Sequence, residues 1–172
     1  MKTDTGRCVV LFPHGVLFRD AESAIRKKMI EADIVDAVIG LGKNLFYNSS
    51  MESCLLVCRM KKPKERKGKI IFINAINELK LERSFAWLEP HNIKTIADTY
   101  WKYKDVDGFA KIVSMKDVLG SNGNLSLQLY VKPTEVANDY NSRDLIEEIK
   151  NTKQQINTSL ESLFTHLKNI GI

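Results

Sequence analysis

Four short apolar runs in the first half of the chain have the length and composition of buried strands. The first, RCVVLFP at 7–13, is almost continuously apolar, which is typical of a strand buried on both faces, so it predicts a central strand. The others are IVDAVIGL at 34–41, SCLLVCRM at 53–60 and IIFINA at 70–75. The tight return between the second and third runs allows antiparallel neighbours, so we expect a mixed sheet with few strands and an open flank.

The segment between the first two runs, DAESAIRKKMIEAD, has the spacing of an amphipathic helix. Asp20 is the predicted N-cap, and Glu22 falls in the first turn. The predicted apolar face consists of Ala21, Ala24, Ile25, Met29 and Ile30. Strand, helix and strand in this order predict an α/β fold.

The segment 77–133 has a different pattern. It predicts a helix with one apolar face, a turn at Asp107 and Gly108, a strand at 109–114 and a helical turn from Met115. After a loop at 121–124, the alternation of Leu125, Leu127 and Leu129 predicts another strand. The helix face consists of Ile93, Ile96, Ala97, Tyr100 and Trp101.

From Asp144 the chain has the pattern of a long helix with one apolar stripe. The stripe consists of Leu145, Ile149, Ile156, Leu160, Leu163 and Leu167. An isolated helix gains little stability in water, so this stripe is expected to contact a partner. We therefore divide the chain into an α/β portion at 1–76, an α+β segment at 77–133 and an association helix at 134–172.

Composition and charge narrow the range of possible functions only modestly. The chain has 172 residues, a net charge of +5 and a pI near 9.0, which makes an acidic partner plausible. Its cysteines, Cys8, Cys54 and Cys58, lie in apolar runs and predict reduced thiols, and the scattered histidines predict no metal site. No apolar run is long enough for a membrane span, and the N-terminus does not resemble a signal peptide, so we expect a cytoplasmic protein.

The order of the motifs resembles a known family. GRCVVLFPHGVLF, DAVIGLGKNLFYNSSMES, CLLVCRMKK and KIIFINA are similar to the second half of the adenine methyltransferase domain in the modification subunit of type I restriction-modification systems. IADTYWKYKDVDGFAKIVSMKDVL and NGNLSLQLYV are similar to that subunit's tail. The resemblance implies a partial Rossmann-like methyltransferase sheet, made of its C-terminal strands, followed by an α-rich tail with a long C-terminal helix.

The resemblance also implies chemistry that this chain lacks the motifs to perform alone. The family transfers a methyl group from S-adenosylmethionine to adenine, using a Gly-rich F-x-G-x-G turn and an N-P-P-F/Y loop. The chain has four prolines, none adjacent to another, and its G-x-G at 40–42 ends a strand instead of opening a helix. We expect no cofactor in this chain alone, S-adenosylmethionine in the intact enzyme, and a sequence that is a fragment, a split-gene product or a remnant.

By resemblance, Phe46 is the aromatic residue that contacts a target base turned out of duplex DNA, with Tyr47 and Asn44 beside it. The alternative is that these aromatic residues simply close the end of the strand pair. The basic run RMKKPKERKGK has two interpretations as well, a contact with DNA phosphates or a solvated turn that protects a sheet edge. Its phosphate candidates are Lys61, Lys62, Lys64, Arg66 and Lys67.

The resemblance implies three partners: double-stranded DNA, the N-terminal methyltransferase half and the specificity subunit, against which the C-terminal stripe would pack. Pairing of that stripe with its own domain or with a second copy of the chain is the alternative. Two functions stay open at this point. The chain is either the C-terminal portion of a DNA adenine methyltransferase subunit or a non-enzymatic assembly or DNA-binding remnant of one.

Overall fold

The computed structural model describes residues 5–46, 49–83, 85–132 and 142–169. The chain forms two compact units, Met1–Thr134 and Glu135–Ile172. The first unit therefore contains both segments that the sequence pattern separates at residue 76.

A mixed sheet of five strands organises the first unit. Its strands are β1 (Arg7–Pro13), β2 (Val35–Leu41), β3 (Ser53–Arg59), β4 (Lys69–Ala75) and β7 (Ala110–Ser114), in the order β1-β3-β2-β4-β7. β3 is antiparallel to both β1 and β2, β2 is parallel to β4, and β7 is antiparallel to β4. The predicted mixed sheet and the antiparallel return from β2 to β3 are confirmed. A separate hairpin is formed by β5 (Lys80–Glu82) and β6 (Phe85–Trp87).

The prediction that β1 is a central strand is wrong, because β1 lies at the edge of the sheet. Its residues alternate between exposed and half-buried, and Val9 and Leu11 are 60% and 45% exposed. Among the described residues no strand pairs with its outer edge. A continuous apolar run indicates that both faces of a strand are apolar, but it carries no information about the strand's neighbours.

Helices cover both faces of the sheet. α1 (Ser23–Glu31), α3 (Met115–Gly120) and α4 (Leu127–Tyr130) lie on one face, where Ile30, Val118 and Leu127 pack with Phe72. α2 (Pro90–Lys102) lies on the other face. β2 is buried along its whole length, so the core extends to both sides of it.

The predicted face of α1 is partly wrong. Ile25 is 62% exposed, whereas Arg26 is buried and donates hydrogen bonds to the carbonyl groups of Val16, Arg19 and Gly123. A turn of 3-10 helix at 20–22 precedes α1, so Asp20 is not its N-cap. The arginine faces inward because the carbonyl groups of three residues accept hydrogen bonds from its guanidinium.

The downstream segment differs from its prediction in one element. β7 and the helix that begins at Met115 are present, and Ser114 caps that helix by accepting a hydrogen bond from the Asp117 amide. The predicted strand at 125–129 is wrong, since α4 begins at Leu127. Asn124 explains the difference, because its side chain accepts a hydrogen bond from the Ser126 amide and so turns the chain before an extended strand can form.

The predicted face of α2 is also only partly buried. Ile96 lies in the core, whereas Ile93 and Trp101 are more than half exposed. Cys54 and Cys58 face the same core cluster, as strand parity predicts, and all three cysteines are free thiols.

The second unit contains one helix, α5 (Ser142–Asn169). Of its predicted stripe, Ile149, Ile156 and Leu160 are exposed. The side chains of Leu145, Leu163 and Leu167 lie outside the described residues.

Candidate functional site

The carboxyl ends of three strands meet at one edge of the sheet. β1, β2 and β4 run in the same direction and end at Pro13, Leu41 and Ala75, while β3 begins at this edge with Ser53. In α/β sheets, ligands bind outside the carboxyl ends of the strands. We call this the carboxyl edge and treat it as the candidate site.

The loop that follows β2 carries Phe46 to the carboxyl edge. Asn44 adopts a left-handed conformation, with a φ of 60°, and its carbonyl group accepts a hydrogen bond of 3.0 Å from the Ala86 amide of β6. Phe46 is 38% exposed, and its carbonyl group accepts a hydrogen bond from the Ser49 amide. The loop is thus supported by the β5–β6 hairpin and by its own narrow turn. Tyr47, the third predicted base-side residue, lies outside the described residues.

A small cavity of about 170 Å³ adjoins Phe46. Its walls are Leu11, Phe12, Pro13, Phe46, Ser49, Met51, Glu52 and Ser53. Pockets for drug-sized ligands have volumes of roughly 300–1,000 Å³, so this one suits a single ring system better than a whole cofactor.

Polar groups that the sequence analysis did not assign to a site lie around this cavity. The Glu52 carboxylate lies 3.4 Å from Nδ1 of His14 and forms an ion pair with Lys43 at 3.7 Å. The Ser53 hydroxyl and the Nε2 atom of His14 are buried without a hydrogen-bond partner in the described part of the chain. The sequence offered a signal for Ser53, because it is a polar residue at the start of a largely apolar strand. The first residue of a strand lies where the strand enters the sheet, here at the carboxyl edge.

The structure argues against a cofactor turn at Gly40–Gly42. A Cβ atom on Gly42 would lie 2.2 Å from the Ile76 carbonyl oxygen, and one on Gly40 would lie 2.6 Å from Leu127 Cδ1. The space beside both glycines is filled by the protein's own packing, so neither provides a surface for a cofactor to approach. The residues present do not fit S-adenosylmethionine at this turn.

The basic run RMKKPKERKGK forms the connection between β3 and β4, which we call the basic turn. Its composition suggests a solvated loop, but several of its basic side chains are buried. Lys62 is buried and donates hydrogen bonds of 2.7 Å to Asp33 and to the Lys69 carbonyl group. Arg66 is also buried. It pairs with Asp36 at 3.2 Å and donates to the carbonyl groups of Tyr100 and Trp101 at the end of α2.

The guanidinium of Arg66 also lies over two aromatic rings, with 4.9 Å to the ring centre of Tyr100 and 4.3 Å to that of Tyr103. Burial raises the pKa of both tyrosines. Lys61, Lys64 and Lys67 are exposed, so among the five phosphate candidates only these three face solvent. Their contact with DNA stays a prediction.

Phe46 and the basic turn lie at opposite ends of the strands, one at the carboxyl edge and the other at the far end of β3. β3 runs from Ser53, beside the Phe46 cavity, to Arg59, next to the basic turn, and seven residues of strand span about 20 Å. The structure does not bring the two predicted DNA-contacting features together.

The described ranges contain neither a candidate metal site nor a candidate membrane span. No group of three or more His, Cys, Asp or Glu residues there could hold a metal ion. No described helix is long and apolar enough to cross a membrane.

Comparison with known proteins gives a consistent result. A family model described as N-6 DNA Methylase matches residues 1–139. The chain is 35% identical over 170 residues to the type I restriction enzyme MjaVIII methylase subunit of Methanocaldococcus jannaschii, covering 94% of this chain and 29% of that protein. It is 32% identical over 164 residues to the MpnII methylase subunit of Mycoplasma pneumoniae, covering 93% and 30%.

Among solved structures, the methyltransferase subunit of a type I restriction-modification system from Streptococcus thermophilus superposes with a TM-score of 0.71 at 32% identity. That match covers 77% of this chain and 28% of the other. The chain therefore spans less than a third of the length of each of these three proteins.

Proposed function

The chain belongs to the N-6 DNA methylase family, and from that premise we propose that it is the C-terminal portion of a type I restriction-modification methylase subunit. In this role it supplies the loop that faces the target adenine and the helix that docks on the specificity subunit. An upstream portion supplies the cofactor site and the N-P-P-F/Y loop.

The observation that carries the proposal is the outer edge of β1, with which no strand pairs in the part of the chain that the structure describes. This strand is apolar on both faces, yet Val9 and Leu11 are largely exposed. Exposed edge strands are a liability that proteins normally cover or blunt. Since the relatives are more than three times as long, a strand from the upstream portion is the natural partner for this edge.

The position of Phe46 supports a contact with the target base. It stands at the carboxyl edge beside a cavity of about 170 Å³, and it is exposed enough to pack against a ligand. An enzyme that modifies a base in duplex DNA must turn that base out of the stack, and an aromatic ring then packs against it. Asn44 holds the loop through the hairpin contact, so its role is to position Phe46.

This chain alone is proposed to be inactive. The glycines of its G-x-G turn are enclosed by Ile76 and Leu127, and neither motif for cofactor and amine binding occurs in the sequence. Titration calorimetry with S-adenosylmethionine should give no binding at micromolar concentrations. A micromolar dissociation constant for the chain alone would contradict this part of the proposal.

The exposed stripe of α5 supports a helix-mediated contact with the specificity subunit. Ile149, Ile156 and Leu160 are all exposed and spaced at four and seven residues, which places them on one face. A second copy of the chain is the competing occupant. Sedimentation of the chain alone, and then with the specificity subunit, separates the two.

The whole proposal is tested by methylation of duplex DNA with labelled S-adenosylmethionine. The chain is assayed alone and then mixed with a matching upstream portion and the specificity subunit. Activity in the mixture only is the expected result. Formation of the complex without any methylation would favour a non-enzymatic assembly remnant instead.

A further inference from the structure

One polar group in the wall of the cavity beside Phe46 is buried without a task in the described part of the chain. Ser53, the first residue of β3, lines this cavity of about 170 Å³. Ser53 is only 7% exposed, and its hydroxyl oxygen has no hydrogen-bond partner among the described residues. A buried polar group without a partner costs free energy, so each such group calls for an explanation.

The register of β1 and β3 places Ser53 where it can reach a molecule in the cavity. Ser53 lies directly opposite Pro13 in this antiparallel pair, and opposite residues of such a pair share a face of the sheet. Leu11 lies two residues before Pro13, on the same face, and both residues line the cavity. The Ser53 side chain is therefore part of the wall that the two strands form.

The other polar side chains of the cavity wall already have partners. The Ser49 hydroxyl oxygen accepts a hydrogen bond of 3.3 Å from the Met51 amide. The Glu52 carboxylate pairs with Lys43. Among the polar residues that line the cavity in the described ranges, Ser53 is thus the one whose side chain is left for a ligand.

We propose that the Ser53 hydroxyl donates a hydrogen bond to N1 of the target adenine when that base lies in the cavity beside Phe46. The inference rests on the proposed function and adds a contact with the edge of the base to the contact with its face. A base turned out of the duplex loses its pairing partner, and enzymes read it by hydrogen bonds to its Watson–Crick edge. On adenine this edge consists of the amine and N1, and N1 needs a donor such as a hydroxyl.

The arrangement suits the chemistry of methyl transfer to the amine. Phe46 is 38% exposed and can pack against the face of the ring, while Ser53 contacts the edge next to the amine. A neutral donor holds N1 without protonating it. This matters because a proton on N1 would withdraw electron density from the amine that attacks the methyl group.

A cycle of four methylation reactions tests the contact. The assembled enzyme, with the unchanged chain or with Ser53→Ala, acts on duplexes that carry adenine or 1-deazaadenine at the target position. In 1-deazaadenine a C–H group replaces N1. Single-turnover rates are measured with labelled S-adenosylmethionine. The effects of the analogue on the amine and on base extrusion are common to both proteins, so the cycle isolates the contact between the hydroxyl and N1.

With adenine, Ser53→Ala should lower the rate about fivefold, which is typical for the loss of one neutral hydrogen bond. With 1-deazaadenine, the same change should alter the rate by less than about twofold. Two controls are matched to this pair. On 7-deazaadenine, which retains N1, Ser53→Ala should cost as much as on adenine. Ser49→Ala removes another hydroxyl of the cavity wall, and its effect should be the same on adenine and on 1-deazaadenine.

An equal cost of Ser53→Ala on adenine and on 1-deazaadenine would overturn the inference, as would no cost on adenine. Either result would leave the proposed function intact, because the assembled enzyme would still methylate DNA. If the assembled mixture does not methylate DNA at all, the proposed function fails and this inference fails with it.

Thermal unfolding of the chain alone gives an independent check. Because the Ser53 hydroxyl has no partner among the described residues, Ser53→Ala should not lower the unfolding midpoint. A lower midpoint would show that the hydroxyl stabilises the fold itself, and it would overturn the inference.

Discussion

Asp36→Asn should destabilise the first unit more than any other single conservative change at a charged residue of the sheet. Asp36 is fully buried on β2. One of its oxygens accepts hydrogen bonds from Arg66, at 3.2 Å, and from the Tyr100 hydroxyl, at 2.6 Å, and Arg59 lies 3.8 Å away. This carboxylate therefore balances the charges of two buried arginines.

The amide in Asp36→Asn preserves the shape of the side chain but leaves both guanidinium groups buried without a counter-charge. Loss of one partner from a buried ion pair costs about 3–5 kcal/mol. For the 134 residues of Met1–Thr134, an unfolding entropy of about 2.1 cal/mol/K per residue gives roughly 280 cal/mol/K. The midpoint of thermal unfolding should therefore fall by about 10–18 °C.

Differential scanning calorimetry of the two proteins measures this shift. Asp105→Asn is the matched control, because Asp105 pairs with Lys111 at the surface and both side chains are about half exposed. An exposed pair is worth about 0–1 kcal/mol, so the control should shift the midpoint by less than about 4 °C. Equal small shifts in both variants would refute the role of Asp36 as the charge that holds the basic turn and α2 to the sheet.

Three further predictions concern other parts of the first unit. Gly42→Ala should destabilise it by about 1–3 kcal/mol in urea titrations, because the added methyl group meets a backbone carbonyl at 2.2 Å, whereas Gly120→Ala, with nothing within 4 Å, should not. A loss of stability in both variants, or in neither, would contradict that packing argument. Burial raises the pKa of Cys54 and of Cys58 to about 11 from an ordinary 9.0, so the native state retains their protons longer than the unfolded state. Stability should be complete below about pH 9 and fall as the pH rises through 11, and replacing both thiols with Ala should reduce that fall in urea titrations at pH 8 and pH 10.5. Phe46→Ala should lower the methylation rate of the assembled enzyme without changing the unfolding midpoint of this chain, and an unchanged rate would remove its proposed role at the base.

Much of the sheet could be predicted from the sequence because each strand is a compact apolar run. The strand predicted at 34–41 is observed at Val35–Leu41, and its antiparallel return to β3 follows from the short loop between them. The position of β1 at the edge could not be predicted, since a continuous apolar run carries no information about which strands lie beside it. Leu125, Leu127 and Leu129 alternate as in a strand, yet a single Asn124 turn outweighs that pattern.

The basic turn shows why composition alone misjudges a charged run. Lys62 and Arg66 look like their exposed neighbours in the sequence, but their partners Asp33 and Asp36 lie about thirty residues earlier and meet them only through the fold. Phe46, in contrast, follows a well-defined strand, so its place at the carboxyl edge could be predicted from the order of the elements. The place of Ser53 at the start of β3 can be inferred from the sequence, whereas the absence of a hydrogen-bond partner for its hydroxyl within the described ranges is visible only in the structure.

The central claim is that the outer edge of β1 continues into a strand of an upstream methyltransferase portion. Hydrogen exchange of residues 7–13, measured by mass spectrometry with and without that portion, tests it most directly. The account predicts that the amides of β1 exchange more slowly in the complex, because a new strand forms hydrogen bonds along the outer edge of β1. A complex that forms while exchange of residues 7–13 stays unchanged would contradict the account.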